Sequence, residues 1–426
     1  MAVVVSLGVA ASALVAIALP GSAGGTAPRQ PFPPVNQPGV SQDEIRVGGV
    51  ASETNNPVGS TFGDSFAGVK AYFEKVNKSK DKGIYGRKLR LVAERDDQLG
   101  SNQSEVQGLI SQDNVFAALP ITAVLFTGAS LLEQAGIPTF GWNINGEWGS
   151  ESHPGAPNMF GEKRSYLCFT CASQGLPWLA KQLKAKNVGV LAYTVVQSTD
   201  CLKGIQASFD KYPSGKISFT DSSLQFGTTD FSNDVAQMID KKVDLVTTCI
   251  DANGVLNLAR EMKQQGLDAP LYLPQGYDQK FIEENAQFLE GSYVLTFFTP
   301  FEVKTKPKGL KEYLKWIDKT GGPKNEHSLS GWINADLFYQ GLKAAGPEFT
   351  RQKVVDAINK MTDYNAGGIL PGIDWTRQHT ADPQLDCTVL SKIHNGKFVP
   401  SFGQPGKPFV CFEFEAPKLP SKITNK

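Results

Sequence analysis

The sequence predicts an α/β protein made of two successive β/α series, and three observations carry that prediction. Ile45 to Asp97 reads as strand, polar Gly/Pro loop, helix, short turn and strand, the form of a βαβ unit. A second series of the same kind runs from Pro177 to Asp278. In both series the apolar strands end in short polar stretches, and open α/β sheets bind ligands at the carboxyl ends of their strands.

Taken in order, Ile45–Val50 is a short β-prone run, and a loop from Ser52 to Gly63 carries Asn55, Asn56, Pro57, Gly59 and Gly63. Phe66, Val69, Phe73 and Val76 then fall on one face at helical spacing, and Leu89–Val92 forms the next strand, followed by Asp96-Asp97. Helices are expected over Ser104–Gln112 and up to Gln134. Strands are expected at Val115–Leu119, before Pro120-Ile121-Thr122-Ala123, and at Ile137–Phe140, before Gly141-Trp142-Asn143-Ile144-Asn145. The second series predicts helix Pro177–Lys186, strand Val188–Tyr193 ending in Val196–Asp200, helix Cys201–Lys211 and strand Ile217–Thr220. Asp230 caps a helix with Phe231, Val235, Met238 and Ile239 on its apolar face. Strand Val243–Cys249 ends in Ile250–Asn253, helix Val255–Gln264 follows, and strand Leu271–Pro274 ends in Gln275–Asp278. One more strand is expected at Tyr293–Thr299. Helices follow at Leu310–Asp318, Ser330–Ala345 and Arg351–Lys360. The β-rich end includes Thr388–His394, an Asn395-Gly396 hairpin turn and Lys397–Val399.

A chain of 426 residues exceeds one ordinary core, and roughly two to three domains are expected. Lys plus Arg equal Asp plus Glu at 42 each, so no net field is available to attract nucleic acid or an anionic membrane. Ala2–Leu19 is almost wholly apolar and is followed by small residues to Ala23, which reads as an export signal within residues 1–27 despite the missing Lys/Arg start. The alternative is an uncleaved anchor, since roughly 18 apolar residues just span a bilayer. Residues 28–43, rich in Pro, Gly and Gln, read as a linker.

The six cysteines fit an exported chain with disulfides. The favoured pairing is Cys168–Cys171, Cys201–Cys249 and Cys387–Cys411. The second pair joins residues expected near the ends of neighbouring strands. A zinc site at Cys168-x-x-Cys171 is the rival reading, but its expected mate, a second Cys pair or a His pair, is missing from the sequence. Asp96-Asp97 could hold a cation, although two solvated acids at a strand end are the commoner case. No metal or cofactor is therefore expected. The four histidines are scattered, with no HExxH, nucleophile elbow, P-loop or GxGxxG, so an enzyme reading has no residue to rest on.

Against this background the chain resembles the type I periplasmic binding proteins, the solute receptors of branched-chain-amino-acid-type ABC transporters. Asn56–Gly63 is similar to the family's TGPxAxxG loop, Gly83–Leu89 to its GGIxGxKL, and Glu94–Asp97 stands where it has an acidic pair. Thr229-Asp230-Phe231 with Val243–Val246 is similar to TDF…PDVV, and Gly331–Ala335 stands where its late helix begins GYxA. The resemblance covers roughly residues 44 to 400. It implies two Rossmann-like lobes, a hinge of three crossover strands near 163–172, 292–302 and 364–374, and a cleft that closes on a small solute. Lobe one would comprise 44–165 and 300–368, and lobe two 166–299 and 369–426. It also implies an exported, monomeric protein whose closed form meets a membrane permease.

Carried over position by position, the resemblance points to Phe62, Thr122, Ala123, Asn143 and Asn145 in lobe one and to Thr199, Asp251 and Gln275 in lobe two as ligand-binding. Two departures bear on the ligand. Gln275 stands where amino-acid receptors place a Glu for the ligand ammonium, with Asp251 two strands away as a substitute, and the serine-rich carboxylate loop is thinned to Pro120–Ala123. Trp142, Trp148 and Tyr277 would suit an aromatic or larger apolar solute, or else pack the core. Three functions are weighed: an importer's solute receptor, a sensor of the same fold, and an exported α/β enzyme.

Overall fold

The computed structural model describes residues 32–55, 61–380, 386–413 and 416–426. The proposed export signal and Asn56–Ser60 of the first loop lie outside them. From Pro33 the chain folds around two sheets.

The first sheet takes its strands from the first series. These are β1 (Glu44–Ala51), β2 (Lys88–Asp96), β3 (Ala117–Thr122), β4 (Thr139–Gly141) and β5 (Met159–Gly161), in the order β2-β1-β3-β4-β5 and all parallel. Their connections carry α1 (Asp64–Asn77), α2 (Asn102–Ser111) and α3 (Ala129–Gln134). The core strand β3 is buried along its whole length, as expected where helices cover both faces of a parallel sheet. Helix α1 turns Phe66, Val69, Phe73 and Val76 inward, the face expected from their spacing.

The second sheet begins after α4 (Gly175–Leu183). It contains β6 (Asn187–Tyr193), β7 (Lys216–Leu224), β8 (Leu245–Cys249), β9 (Leu271–Leu273) and β10 (Tyr293–Thr296). Helices α5 (Val196–Lys211), α6 (Ser232–Asp240), α7 (Ala252–Gln265) and α8 (Gln279–Leu289) connect them. The chain then forms α9 (Lys308–Thr320), α10 (Glu326–Ala345) and α11 (Arg351–Ile358) before adding β11 (Asp386–His394), β12 (Lys397–Ser401), β13 (Val410–Phe412) and β14 (Thr424–Asn425). The order is β14-β13-β11-β10-β9-β8-β6-β7, parallel from β10 through β7 and antiparallel where the late strands join, with β12 on β11.

The chain crosses between the sheets three times: after β5, after β10 and between α11 and β11. Between the last two crossings, α9 and α10 pack on α1, and α10 also reaches β3 and β4. The α1–α10 crossing is close because each helix presents a glycine to the other's backbone. A Cβ at Gly68 would overlap the Ser328 carbonyl, and one at Gly331 would overlap the Ser65 carbonyl. At the start of α10, Asn325 accepts from the Ser328 amide at 3.0 Å, while Ser328 Oγ accepts from the Asn325 amide at 3.3 Å, a reciprocal cap.

Three disulfides join the pairs expected: Cys168–Cys171, Cys201–Cys249 and Cys387–Cys411. The second spans 48 residues and joins the body of α5 to the end of β8, and the third links registered partners on β11 and β13. With the sulfurs of Cys168 and Cys171 bonded to each other, the zinc reading has no thiolates to use there.

The structure also departs from expectation. β5 is three residues long and shows no readable periodicity. Helix α8 has no counterpart among the expected elements, although it buries Ile282 and Leu289 with Phe281 and Phe288 packed beside them. Helix α5 begins at Val196, because Val196–Asp200, expected as a strand-end loop, forms its first turn. The expected linker is tied down from Pro33 onward. Arg87 Nη2 donates to the Pro33 carbonyl at 3.1 Å, the Arg351 amide donates to Gln37 Oε1 at 3.2 Å, and Val40 bridges Ile45. No helix among the described residues is long and apolar enough to cross a membrane.

The close crossing predicts the effect of one methyl group. Gly331→Ala should lower the unfolding free energy by about 1–3 kcal/mol through backbone displacement, read from urea denaturation. An unchanged midpoint would show that the helices can separate without cost.

Candidate functional site

Strand register brings the polar strand ends of each sheet into line. In the first sheet Ala51 pairs with Thr122, and Ile121 with Gly141. In the second, Ala192 pairs with Cys249, and Thr247 with Tyr272. The two rows of ends come together where Gln197 Nε2 of α5 donates to the Val124 carbonyl just beyond β3 at 3.4 Å.

In the first lobe, Thr122 is fully buried and its hydroxyl holds the fold locally: it lies 2.8 Å from Ser65 Oγ and 3.2 Å from the Phe62 carbonyl. That network fixes the turn at Phe62. The Phe62 ring packs on Trp142 at 5.2 Å and on His327 at 4.9 Å, and Trp142 meets His327 edge-on at 4.6 Å. Phe297, from the second crossover, packs against the same group. Ala123 is buried in the apolar cluster around Ile121 and Phe126. Asn145 Nδ2 donates to the Val124 carbonyl at 2.7 Å, so this carbonyl takes one bond from each lobe. Asn143 Nδ2 donates to the Arg164 carbonyl at 2.5 Å, and its buried Oδ1 has no partner among the described residues.

In the second lobe the side chains differ in availability. Asp251 is buried and caps α7, accepting from the amides of Asn253 at 2.8 Å and Gly254 at 3.1 Å. Its other oxygen accepts from the Tyr193 hydroxyl at 2.5 Å, and burial together with this acid raises the phenol's pKa. Thr199 sits within α5, its hydroxyl donating to the Val196 carbonyl at 2.9 Å. Gln275 is half-buried and makes no side-chain hydrogen bond among the described residues. Of the three, it alone keeps its polar atoms uncommitted.

The crossovers add charged groups that the pattern of strand ends did not reveal. Glu162 is buried and accepts from the Ser330 hydroxyl, and burial raises its pKa to about 8. Glu326 accepts from the Gly276 amide at 2.9 Å, and burial raises its pKa to about 7. A raised carboxyl pKa means the folded chain holds a proton that the unfolded chain releases, so both groups favour folding at low pH and lose that contribution as pH rises toward 8. Burial lowers His327 to about 4, which keeps its imidazole neutral near pH 7, and its Nδ1 has no partner among the described residues. Lys163 is half-buried with its ammonium 4.0 Å from the centre of the Phe297 ring; burial, then Arg164, lowers its pKa.

Asn325 ties the lobes together at this level. Its Nδ2 donates to Asp64 at the start of α1 at 2.7 Å and to Asp278, the cap of α8, at 3.4 Å. The signals for these residues were local and faint: a charged pair, Glu162-Lys163, after an apolar triplet, and an Asn-x-x-Ser cap before an otherwise apolar helix. Two acids considered for a cation are engaged elsewhere. Asp96 accepts from the Glu53, Thr54 and Gln98 amides, and Asp97 from the Leu99 amide and Asn102. A surface depression of about 560 Å³ beside Asp336 and Tyr364 lies roughly 15 Å along α10 from His327.

With this geometry in hand, the sequence matches the periplasmic binding protein family over residues 44–392, and the chain belongs to that family of solute-binding proteins. No curated protein matches the sequence. The fold is similar to that of a fatty acid ABC transporter substrate-binding protein from Thermomonospora curvata, at 18% identity and TM-score 0.68 over 89% of this chain and 95% of that one. A solute-binding protein from R. palustris in complex with benzoate matches at 16% identity and TM-score 0.67, over 88% and 98% of the two chains. A branched-chain amino acid transporter substrate-binding protein from Streptococcus pneumoniae in complex with isoleucine matches at 17% identity and TM-score 0.66, over 84% and 98%.

The two lobe-two residues with polar cleft-side candidates should separate by stability. Asp251→Ala removes a helix cap and strands the Tyr193 hydroxyl, so it should cost roughly 1–3 kcal/mol in the ligand-free protein. Gln275→Ala should leave the melting temperature within about 1 °C of wild type, in keeping with a surface change of well under 1 kcal/mol. Equal losses for both, measured by calorimetry, would contradict the assignment of their bonds.

Proposed function

We propose that this chain is the exported substrate-binding protein of an ABC importer, and that it binds a small solute between its lobes by hinge closure. The observation that carries the reading is the meeting of two rows of parallel-strand carboxyl ends at the Gln197–Val124 bond, in a chain with three crossovers between the sheets. Closure needs the solute to bind the closed form more tightly than the open one.

In this reading lobe one comprises 44–165 with 300–368 and lobe two 166–299 with 369–426. Phe62, Thr122, Ala123, Asn143 and Asn145 line one wall and Thr199, Asp251 and Gln275 the other. Their committed bonds divide the work: Thr122, Asn145 and Asp251 shape the wall, while Phe62, Asn143 Oδ1 and Gln275 remain to meet a solute. The apolar start supports export, and the partner is a membrane permease that meets the closed, monomeric protein.

A thermal-shift screen of the purified protein against amino acids, aliphatic acids, aromatic acids, amides and polyamines tests this reading. At least one class should raise the melting temperature with a saturating dose dependence; at 100 times its dissociation constant a ligand adds roughly 2.7 kcal/mol. Turnover of the bound compound would favour an enzyme instead.

A further inference from the structure

Lys163 is a charged group at the first crossover that has no oppositely charged partner among the described residues. Its neighbour Arg164 pairs with Asp386 at 3.1 Å. The two buried acids nearby are served by protein donors, Glu162 by the Ser330 hydroxyl and Glu326 by the Gly276 amide. The Lys163 ammonium has three N–H donors and, among the described residues, no ion pair or hydrogen bond; it rests on the face of the Phe297 ring at 4.0 Å. The other side of this neighbourhood is aromatic, since Phe297 packs against Phe62, Phe66 and Trp142.

Two further groups at the same place lack partners. Asn143, held against the Arg164 carbonyl, is 4% exposed and its Oδ1 has no donor. His327, 7% exposed, tilted against Phe62 and edge-on to Trp142, has an Nδ1 with no partner among the described residues. Buried polar atoms left unpaired cost roughly 1–3 kcal/mol each, so two such atoms beside an unpaired, half-buried lysine are expected where a ligand completes the bonding. The missing elements are an acceptor for the Lys163 ammonium and a donor for Asn143 Oδ1, next to aromatic walls.

We propose that Lys163, on the first crossover, anchors the carboxylate of the solute, and that the solute is a carboxylic acid whose apolar body lies against Phe62, Trp142 and Phe297. This rests on the solute-receptor reading above and narrows it to one ligand chemistry. Lys163 and the Phe62–Trp142 wall stand in lobe one and Phe297 in lobe two, so a solute held by all of them joins the lobes and favours the closed form. Gln275, uncharged on the opposite wall, fits an acid without an amino group.

The test is calorimetric titration of the purified protein with benzoate, phenylacetate and hexanoate, each beside its primary amide and the corresponding amine. At least one acid should bind at least tenfold more tightly than its amide. Lys163→Met should weaken that acid by about 10- to 100-fold, the range for losing a charged hydrogen bond, and leave amide binding unchanged. Lys163→Arg should retain part of the preference. Acid binding that is unaltered in Lys163→Met would overturn the assignment, as would failure of every acid to bind. If an amide or amine then binds instead, the receptor reading survives and the carboxylate anchor does not. If no solute binds, both are contradicted.

Discussion

The structure depends on the crossing of α1 and α10 at Gly68 and Gly331. Two helices can bring their backbones this close only where neither carries a Cβ, and here each glycine faces a carbonyl of the other helix. The crossing docks the chain, returning from the second sheet, onto the first. It therefore sets the position of the α10 N-terminus, where Asn325, Glu326 and His327 reach Asp64, Gly276 and the Phe62–Trp142 pair. One contact between two helices of lobe one thus decides what faces the cleft.

At that cleft the chemistry is divided between committed and uncommitted groups. Thr122, Asn145 and Asp251 spend their polar atoms on shaping loops and capping helices. Glu162 and Glu326 take donors from the chain itself, and their burial favours the neutral acid. What remains is a lysine on an aromatic ring, a buried amide oxygen, an imidazole nitrogen and a half-buried glutamine. Rigid walls with a few unsatisfied polar groups are the form a small-solute site takes when binding is to be coupled to a change of lobe position.

The fold was legible in the sequence because its main signals are long and periodic. The α1 face, the runs of β3 and β8 and the alternation of strands with helices survive without any tertiary information. Short elements were not legible: β5 is only three residues long. Of the three favoured cysteine pairings, Cys201–Cys249 followed from the order of neighbouring strands, and the structure has all three pairs. For the site, position along the strands was readable but bonding was not. Nothing in the letters around Asp251 states that Tyr193, 58 residues earlier, donates to its carboxylate. Lys163 and His327 were invisible for the same reason: each becomes notable only through the rings that the fold sets beside it.

The central claim is that a solute holds two lobes together across the strand ends. Leu125 and Val196 are exposed, at 38% and 69%, and flank the Val124–Gln197 contact from opposite lobes. With no free cysteine in the structure, Leu125→Cys and Val196→Cys offer clean positions for spin labels. The measurement is the label-to-label distance distribution by pulsed electron spin resonance, without solute and with a saturating concentration of one that binds. A shift to shorter distances with a narrower distribution is predicted. The same distribution in both states, with the solute demonstrably bound, would contradict closure.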